Sequence, residues 1–231
     1  MQVRAVRTRL FKEGEDIASF VREHTGELEN ASIVALASKI VALAERRVVE
    51  RGSEEETQAL IRSESEWQRR VLPQWWLTVR DGTVVVNAGI DASNADGKLI
   101  LLPRDCFAAA REVRRRLMSE FQLSNLGIVI TDSRITPLRA GVLGAALGYA
   151  GFKGVRDYRG KPDLFGRPME VTQTDVADSL ATAATLLMGE GSERQPLALI
   201  QGAPVEWIEE VDQDELKMSR EQDLFKHLFD L

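Results

Sequence analysis

The pattern of apolar and polar residues predicts alternating strands and helices along the chain. Short apolar runs typical of buried strands occur at Ile33 to Ala37, Ile128 to Ile130 and Leu197 to Ile200. A further strand is predicted over Gln2 to Arg9. Amphipathic patterns predict helices over 17–24, 53–70, 105–121, 175–188 and 209–231. No repeat or long linker interrupts this order, so a single domain over residues 1–231 is the simplest organisation, with two lobes as an alternative arrangement.

The stretch from Thr83 to Pro103 reads as a polar loop between two strands. The β-branched run 83–86 follows an Asp81-Gly82 hairpin signal, and apolar character resumes at 99–102. A loop held at both ends can present oxygen ligands to a hard cation with bound phosphates. An ordinary Asx-rich turn has the same composition, and composition alone favours that interpretation. The polar residues of this loop are Asn87, Asp91, Ser93, Asn94 and Asp96.

Polar residues also follow two of the predicted buried strands. Asp132 and Ser133 come after 128–130, which indicates a second acidic loop, although a helix cap is an alternative. Ser38 and Lys39 come directly after 33–37. A Lys in this position can meet a phosphate, but it is more often a solvated charge.

Glycine recurs between Arg139 and Arg167, among several cations, without the spacing of a P-loop or a dinucleotide-binding loop. The segment fits a cradle for phosphates or carboxylates and a glycine-kinked sheet equally well. On the helix before it, Arg111, Arg114, Arg115 and Arg116 are interpreted as surface charge, and both His24 and His227 as structural or exposed residues on helices.

Composition narrows the class of protein. The chain has 231 residues, 44% of them hydrophobic, which permits a large buried core. Its net charge of −6 opposes nucleic-acid binding. With a single cysteine, Cys106, an internal disulfide is impossible, and a metal site must use oxygen ligands or histidines. No apolar run approaches a membrane span, and the charged residues of 1–9 do not resemble a signal peptide, so a cytoplasmic protein is expected.

Five motifs in order carry a family resemblance that covers essentially the whole chain. They are NAGIDASN at 87–94, ITDS at 130–133, RGxxDxxGR at 159–167, VADSLATAATLLMGEG at 176–191 and PLALI at 196–200. In these motifs the chain resembles the coenzyme F-420-0:γ-glutamyl ligase family. The resemblance implies an α+β fold with mixed β-sheets and flanking helices, assembled as a homodimer.

The resemblance also implies a GTP-dependent, or ATP-dependent, ligase that joins a substrate carboxylate to L-glutamate through an acyl phosphate. Two divalent cations, Mg²⁺ or Mn²⁺, are implied, with K⁺ as a further candidate. By position in the motifs, Asp91 and Asp132 are catalytic metal ligands, assisted by Ser133 and Glu190. The implied nucleotide contacts are Thr8, Arg9, Ser38, Lys39, Asn94 and Glu190. The cations proposed for substrate are Arg139, Lys153, Arg156 and Arg159.

Two departures affect what the resemblance implies. Leu43 stands where the family has a nucleotide-contacting Lys, and Thr136 stands where it has an Arg. Because two cations are lost, the identity of the nucleotide and the identity of the acceptor both stay open. The chain looks more similar to a bacterial branch thought to act on folate, so either coenzyme F-420-0 or a folate is the expected acceptor. The alternative is a non-catalytic nucleotide-binding or regulatory protein on the same scaffold.

Overall fold

A computed structural model describes residues 1–219 and 221–228. In that part of the chain the fold is α+β with mixed sheets, as expected. The helices are α1 (Ile17–Thr25), α2 (Ser38–Ala44), α3 (Glu54–Ser63), α4 (Cys106–Phe121) and α5 (Val176–Met188). The strands are β1 (Gln2–Val6), β2 (Ser32–Ala37), β3 (Val48–Glu50), β4 (Trp67–Leu72), β5 (Trp75–Arg80), β6 (Thr83–Val86), β7 (Lys98–Ile100), β8 (Leu126–Ile135), β9 (Val142–Ala150), β10 (Val155–Asp157), β11 (Gln173–Asp175) and β12 (Leu197–Gln201).

A five-stranded sheet in the order β1-β12-β2-β8-β9 forms the centre of the fold. Its pairings are antiparallel except for that of β2 with β8, which run parallel, with Ala37 opposite Thr131. The residues of β2 and residues 126–131 of β8 are buried almost continuously, as expected for strands covered on both faces. The parallel pair therefore brings the residues after 37 and 131 to one edge of the sheet.

Helices cover both faces of this sheet. On one face Phe20 of α1 and Leu117 of α4 pack against Leu36 and Ile130. On the other face α5 packs through small residues, including Ala177 and Ala181, against Ile33, Val129 and Ile200. The small residues allow a close approach: a Cβ added at Gly144 of β9 would lie 2.5 Å from the carbonyl oxygen of Ala181.

Two smaller sheets position the polar loop. Strands β4, β5 and β6 form an antiparallel sheet, and β3 pairs with β7. The predicted hairpin at Asp81-Gly82 is confirmed. The helix predicted over 53–70 is wrong beyond Ser63, because Trp67–Leu72 pairs as a strand with β5. Its start is correct, with Ser53 and Glu56 forming a capping box.

Other predictions also need correction. Asp132 lies within β8 rather than in a loop after it. Arg114 is buried, not a surface charge, and its guanidinium binds both carboxylate oxygens of Glu209 at 2.8 and 2.9 Å. The helix predicted over 209–231 is wrong, since the described residues of that segment hold only a 3-10 turn at Lys226–Leu228. Residues 220 and 229–231 of this prediction lie outside the described residues.

The two histidines have different surroundings. His24 lies in α1 as predicted and is half-buried, with its Nδ1 atom 2.8 Å from the carbonyl oxygen of Phe20. His227 lies in the 3-10 turn and is exposed. Among the helices of residues 1–219 and 221–228, none combines the length and the apolar character needed to cross a bilayer.

Candidate active site

The candidate site starts where β2 ends beside the middle of β8, with Ala37 opposite Thr131. Ser38 is the first residue of α2, directly after β2, and its Oγ atom donates to Oδ1 of Asp132 at 3.0 Å. The parallel register explains this contact, because equivalent positions on parallel neighbours emerge at the same edge. Two residues that are 94 positions apart in the chain are therefore in direct contact.

The loop after β6 is fixed at both ends, as the sequence predicted. Buried Thr78 accepts a hydrogen bond from the amide of Ala88 at 2.9 Å and donates to the carbonyl of Val85. Further along, the backbones of Asp91 and Ile100 exchange hydrogen bonds of 2.8 and 2.9 Å. The position of the Asp91 carboxylate is thus set by backbone contacts on each side of it.

Lys39 joins this loop to the sheet edge. Its ammonium donates to Oδ2 of Asp91 at 2.8 Å and to the carbonyl oxygen of Ser93 at 2.9 Å. Ser93 in turn donates its amide to Oδ1 of Asp91 at 2.6 Å. The second residue of α2 therefore holds a cation directly on one of the two predicted metal ligands, rather than leaving it in solvent.

The pKa values of the two carboxylates, Asp91 and Asp132, are shifted in opposite directions. Burial raises the pKa of Asp132 to about 6, although Ser38 and the Ser133 amide donate to it, and the negative charge of Asp91 adds to the rise. Burial also acts to raise the pKa of Asp91, but the donors on Lys39 and Ser93 outweigh it, so this pKa is lower than usual. Asp91 is therefore the more firmly ionised of the pair.

A second contact pair lies next to the first. The hydroxyl of Ser133 is 2.8 and 2.6 Å from the two carboxylate oxygens of Glu190. The side-chain amide of Asn94 donates to the carbonyl oxygen of Gly191 at 3.1 Å. The glycine-rich turn at 189–191 is thus tied both to β8 and to the Asp91 loop.

These residues suit a hard cation only together with ligands from a substrate. In the described part of the chain, no group of three or more acidic, His or Cys side chains is arranged to hold a metal alone. Mg²⁺ is nevertheless usually bound through one or two carboxylates plus substrate phosphates. The carboxylates of Asp91 and Asp132 are close enough that the charge of Asp91 helps raise the pKa of Asp132. Asp91 and Asp132 therefore fit a nucleotide-bound divalent cation.

Thr8 and Arg9 occupy two different environments. Thr8 is buried, and its amide donates to the carbonyl oxygen of Arg194, just past the glycine-rich turn. Arg9 points its guanidinium to Glu15 and Glu23 at 2.9 and 2.8 Å. The structure therefore brings Thr8 towards the turn, whereas the guanidinium of Arg9 belongs to an ion-pair cluster, and a nucleotide role for Arg9 stays a prediction.

The contacts of the four cations proposed for substrate binding do not bring them to Asp91 and Asp132. Lys153 and Arg156 line a small cavity of about 110 Å³. Arg159 is paired with Asp157 at 2.6 Å, and Arg139 is exposed after β8. The glycines before these residues have a packing role instead: a Cβ at Gly148 would lie 2.5 Å from the backbone of Cys106. The kinked-sheet interpretation is therefore correct for this part of the segment.

The sequence interpretation did not single out Arg134, Asp175 or Asp178, which line a larger cavity of about 310 Å³. The available signal was the two-residue period of a strand, since Arg134 follows Asp132 by two positions and shares its face. That signal was missed because Asp132 was predicted to lie in a loop.

Comparison with known proteins gives the class and then the family. The F420-0:Gamma-glutamyl ligase family model matches residues 52–202. Coenzyme F420:L-glutamate ligase of Archaeoglobus fulgidus is 35% identical, over 94% of this chain and 92% of its own. The Methanopyrus kandleri protein of the same name is 37% identical, over 84% and 83%. The chain is therefore an enzyme of the acid–amino-acid ligase class. Within that class, it belongs to the F420-0:gamma-glutamyl ligase family.

Proposed function

We propose that this enzyme forms an amide between a carboxylate of coenzyme F420-0 and the amino group of L-glutamate, using a nucleoside triphosphate. The observation that carries the proposal is the meeting of Ser38 and Lys39 with Asp91 and Asp132 at one sheet edge. The names of the relatives in Archaeoglobus and Methanopyrus support the two substrates.

The reaction needs an activated carboxylate, because a carboxylate does not react directly with an amine. In the first step a carboxylate oxygen attacks the γ-phosphorus, the bond from that phosphorus to the bridging oxygen breaks, and the nucleoside diphosphate leaves. In the second step the amine nitrogen attacks the carbonyl carbon of the acyl phosphate. Inorganic phosphate leaves with the electrons of the C–O bond, and the nitrogen loses a proton.

The protein contributes positioning and charge to these steps. Lys39 offers an ammonium to phosphate oxygens, and Ser38 holds Asp132 in a fixed orientation. Asp91 and Asp132 would hold Mg²⁺ or Mn²⁺, with Ser133 and Glu190 as neighbouring ligands for a second cation. When bound, such cations neutralise phosphate charge and align the reacting oxygens.

In this proposal the nucleotide, GTP or ATP, binds between Ser38 and the glycine-rich turn. Support comes from the contacts that tie Asn94 to Gly191 and Thr8 to Arg194, because they bring these segments together. Leu43 is apolar and packs against the cluster of Ala42, Ala95 and Ile100. It therefore supplies no charge to the nucleotide. Nucleotide binding must then rely on Lys39 more than on a second cation from α2.

The activity is tested by incubating the protein with GTP or ATP, Mg²⁺ or Mn²⁺, L-glutamate and either coenzyme F420-0 or a folate. Mass spectrometry should detect a product heavier by whole glutamyl units with coenzyme F420-0. A product formed only with folate would show that folate, and not coenzyme F420-0, is the acceptor. Nucleotide binding with no product from either acceptor would support the non-catalytic alternative. The cations Arg139, Lys153, Arg156 and Arg159 are then tested for acceptor binding by single Gln variants.

A homodimer is proposed as the working assembly. Leu138, Leu143, Leu164, Phe165 and Leu186 are exposed on the β8–β9 turn, the segment before β11 and the end of α5. Large apolar side chains on a surface are typical of sites that another protein covers. Light scattering after size exclusion should give twice the 25.7 kDa of one chain, and Leu164→Asp together with Phe165→Asp should shift it to the monomer.

A further inference from the structure

A cavity lies at the free edge of the central sheet, beside β9. Its volume is about 310 Å³, and its walls come from the β5–β6 hairpin, the start of α4, the start of α5 and residues 213–217. Sites for small molecules range from roughly 300 to 1,000 Å³. This cavity is at the small end of the range, so it suits a ligand of amino-acid size rather than a nucleotide.

Arg134 gives the cavity a cationic donor without a hydrogen-bond partner. The Nη2 atom of Arg134 is buried and has no hydrogen-bond partner among the described residues. Arg134 also forms no contact ion pair with an acidic residue there, and its charge reaches Asp175 only at longer range. An unsatisfied buried donor on a charged group is costly, and a ligand carboxylate would satisfy it.

Two carboxylates line the same cavity. Oδ1 of Asp178 accepts from the amide of Ala146 on β9 at 2.8 Å, and Oδ1 of Asp175 accepts from the amide of Asp178 at 2.8 Å. Neither carboxylate is paired with a Lys, Arg or His among residues 1–219 and 221–228. Burial, together with the negative charge of Asp178, raises the pKa of Asp175 to about 6, although the Asp178 amide and the charge of Arg134 act to lower it.

The cavity therefore has a guanidinium and two carboxylates in one small space, with no contact ion pair between them. The ligand that complements both is a zwitterion with a carboxylate and an ammonium group. We propose that this cavity binds the amino-acid substrate, L-glutamate, with its α-carboxylate on Arg134 and its amino group beside Asp175 and Asp178. The inference rests on the proposed function and names the place of one of its substrates.

The cavity also has a suitable position relative to the acidic pair. Arg134 and Asp132 lie two residues apart on one face of β8, a separation of about 7 Å along a strand. Cys106, which lines the cavity, is close enough to Asp132 that the charge of Asp132 helps raise its pKa. An amine held in the cavity would therefore lie on the face of β8 that also carries Asp132.

The test compares Arg134→Gln, Arg134→Lys and Asp178→Asn with a matched control, Arg115→Gln. Arg115 lies on the exposed side of α4 and pairs only with Glu112. The KM for L-glutamate, nucleotide and acceptor is measured for each protein. Calorimetry measures direct binding of L-glutamate and of glutarate, which lacks the amino group. Thermal unfolding shows that each variant is folded.

Arg134→Gln should raise the KM for L-glutamate by about ten-fold or more, as expected for losing a charged hydrogen-bond donor, and leave the KM for nucleotide within about two-fold. Arg134→Lys should give a smaller rise. Asp178→Asn should weaken binding of L-glutamate but not of glutarate. An unchanged KM for L-glutamate, or a rise confined to the acceptor, would overturn the inference.

The proposed function can fail separately. If the wild-type protein forms no product, calorimetry still decides the cavity assignment. L-Glutamate binding that is lost in Arg134→Gln and kept in Arg115→Gln would support it. The absence of L-glutamate binding to the wild-type protein, or equal binding to both variants, would reject it.

Discussion

Ser38 and Asp132 are joined by a hydrogen bond of 3.0 Å across the two parallel strands of the central sheet. This contact places the first residue of α2 against a carboxyl group whose pKa is raised by burial. The next residue of each segment extends the candidate site, because Lys39 donates to Asp91 and Ser133 donates to Glu190.

Asp132→Asn should abolish ligation and weaken metal binding without unfolding the protein. Asn keeps an oxygen that accepts from Ser38 but loses the negative charge that a divalent cation needs. Product formation and Mn²⁺ binding measure the two effects. Asp96→Asn is the control, because Asp96 lies in the same loop as Asp91 but has no contact with the acidic pair. Near-normal turnover in Asp132→Asn would remove this residue from the metal site.

The same variant should change the pH dependence of stability in metal-free protein. The pKa of Asp132 is about 6 in the folded chain against 3.8 for an unperturbed Asp. Its stabilising contribution is therefore complete below pH 4 and is lost as the pH rises through 6, because the folded state binds the proton more tightly. At pH 8, Asp132→Asn should raise the free energy of unfolding by about 1 to 3 kcal/mol. Urea unfolding with EDTA at pH 4 and pH 8 measures the difference, and a gain of equal size at both values would contradict this assignment.

Lys39→Gln should raise the KM for nucleotide by about ten-fold or more, because a neutral amide replaces a charge-assisted donor to phosphate. It should also return the pKa of Asp91 towards its usual value, since Lys39 donates directly to it. Steady-state kinetics with varied nucleotide provide the measurement. Lys98→Gln serves as the control, since Lys98 is an exposed partner of Glu50 at 3.5 Å. Equal effects of the two substitutions would place Lys39 outside the nucleotide site.

Ser133→Ala should lower kcat/KM by about ten-fold, the value of one hydrogen bond to a charged group. The substitution frees the carboxylate of Glu190 from the hydroxyl that now orients it. Ser63→Ala, at the exposed end of α3, removes a hydroxyl that contacts only the Leu60 carbonyl and should leave kinetics unchanged. No difference between the two variants would show that Ser133 does not position Glu190 for the reaction.

Arg114→Met should lower the free energy of unfolding by about 1 to 3 kcal/mol, because it leaves the Leu126 carbonyl without its donor and breaks a two-point ion pair. Arg115→Met, one residue further along α4, removes only an exposed pair with Glu112 and should change stability by less than about 0.5 kcal/mol. Thermal or urea unfolding compares them directly. Equal stability of the two variants would show that the Arg114 contacts contribute little.

Local patterns predicted much of the framework. The buried strands 33–37, 128–130 and 197–200 and the helix starting after Asp105 are present, since each pattern agrees with the local environment. The hairpin at Asp81-Gly82 was predictable because two-residue turns demand few residue types. The motifs also brought Asp91, Asp132 and Glu190 into one set before any geometry was known.

The remaining features depend on contacts between distant residues. Residues 67–72 form a strand because β5 pairs with them, which overrides the helical pattern that continues past Ser63. Arg114 is buried because Glu209, 95 residues away, provides its counter-charge. Arg134 could not be recognised as unpartnered from sequence, because that property depends on every element around the cavity.

The order of strands in the central sheet also means that the sheet cannot be completed until late in synthesis. β12 lies between β1 and β2, so the two earliest strands have no direct pairing and wait for residues 197–201. Pairings between such distant segments form slowly, because the entropy cost of closing a long loop comes before any stabilising contact is made. A partly made chain already contains Ser38, Asp91 and Asp132. The edge of β2 that pairs with β12 nevertheless stays unpaired until residues 197–201 are made.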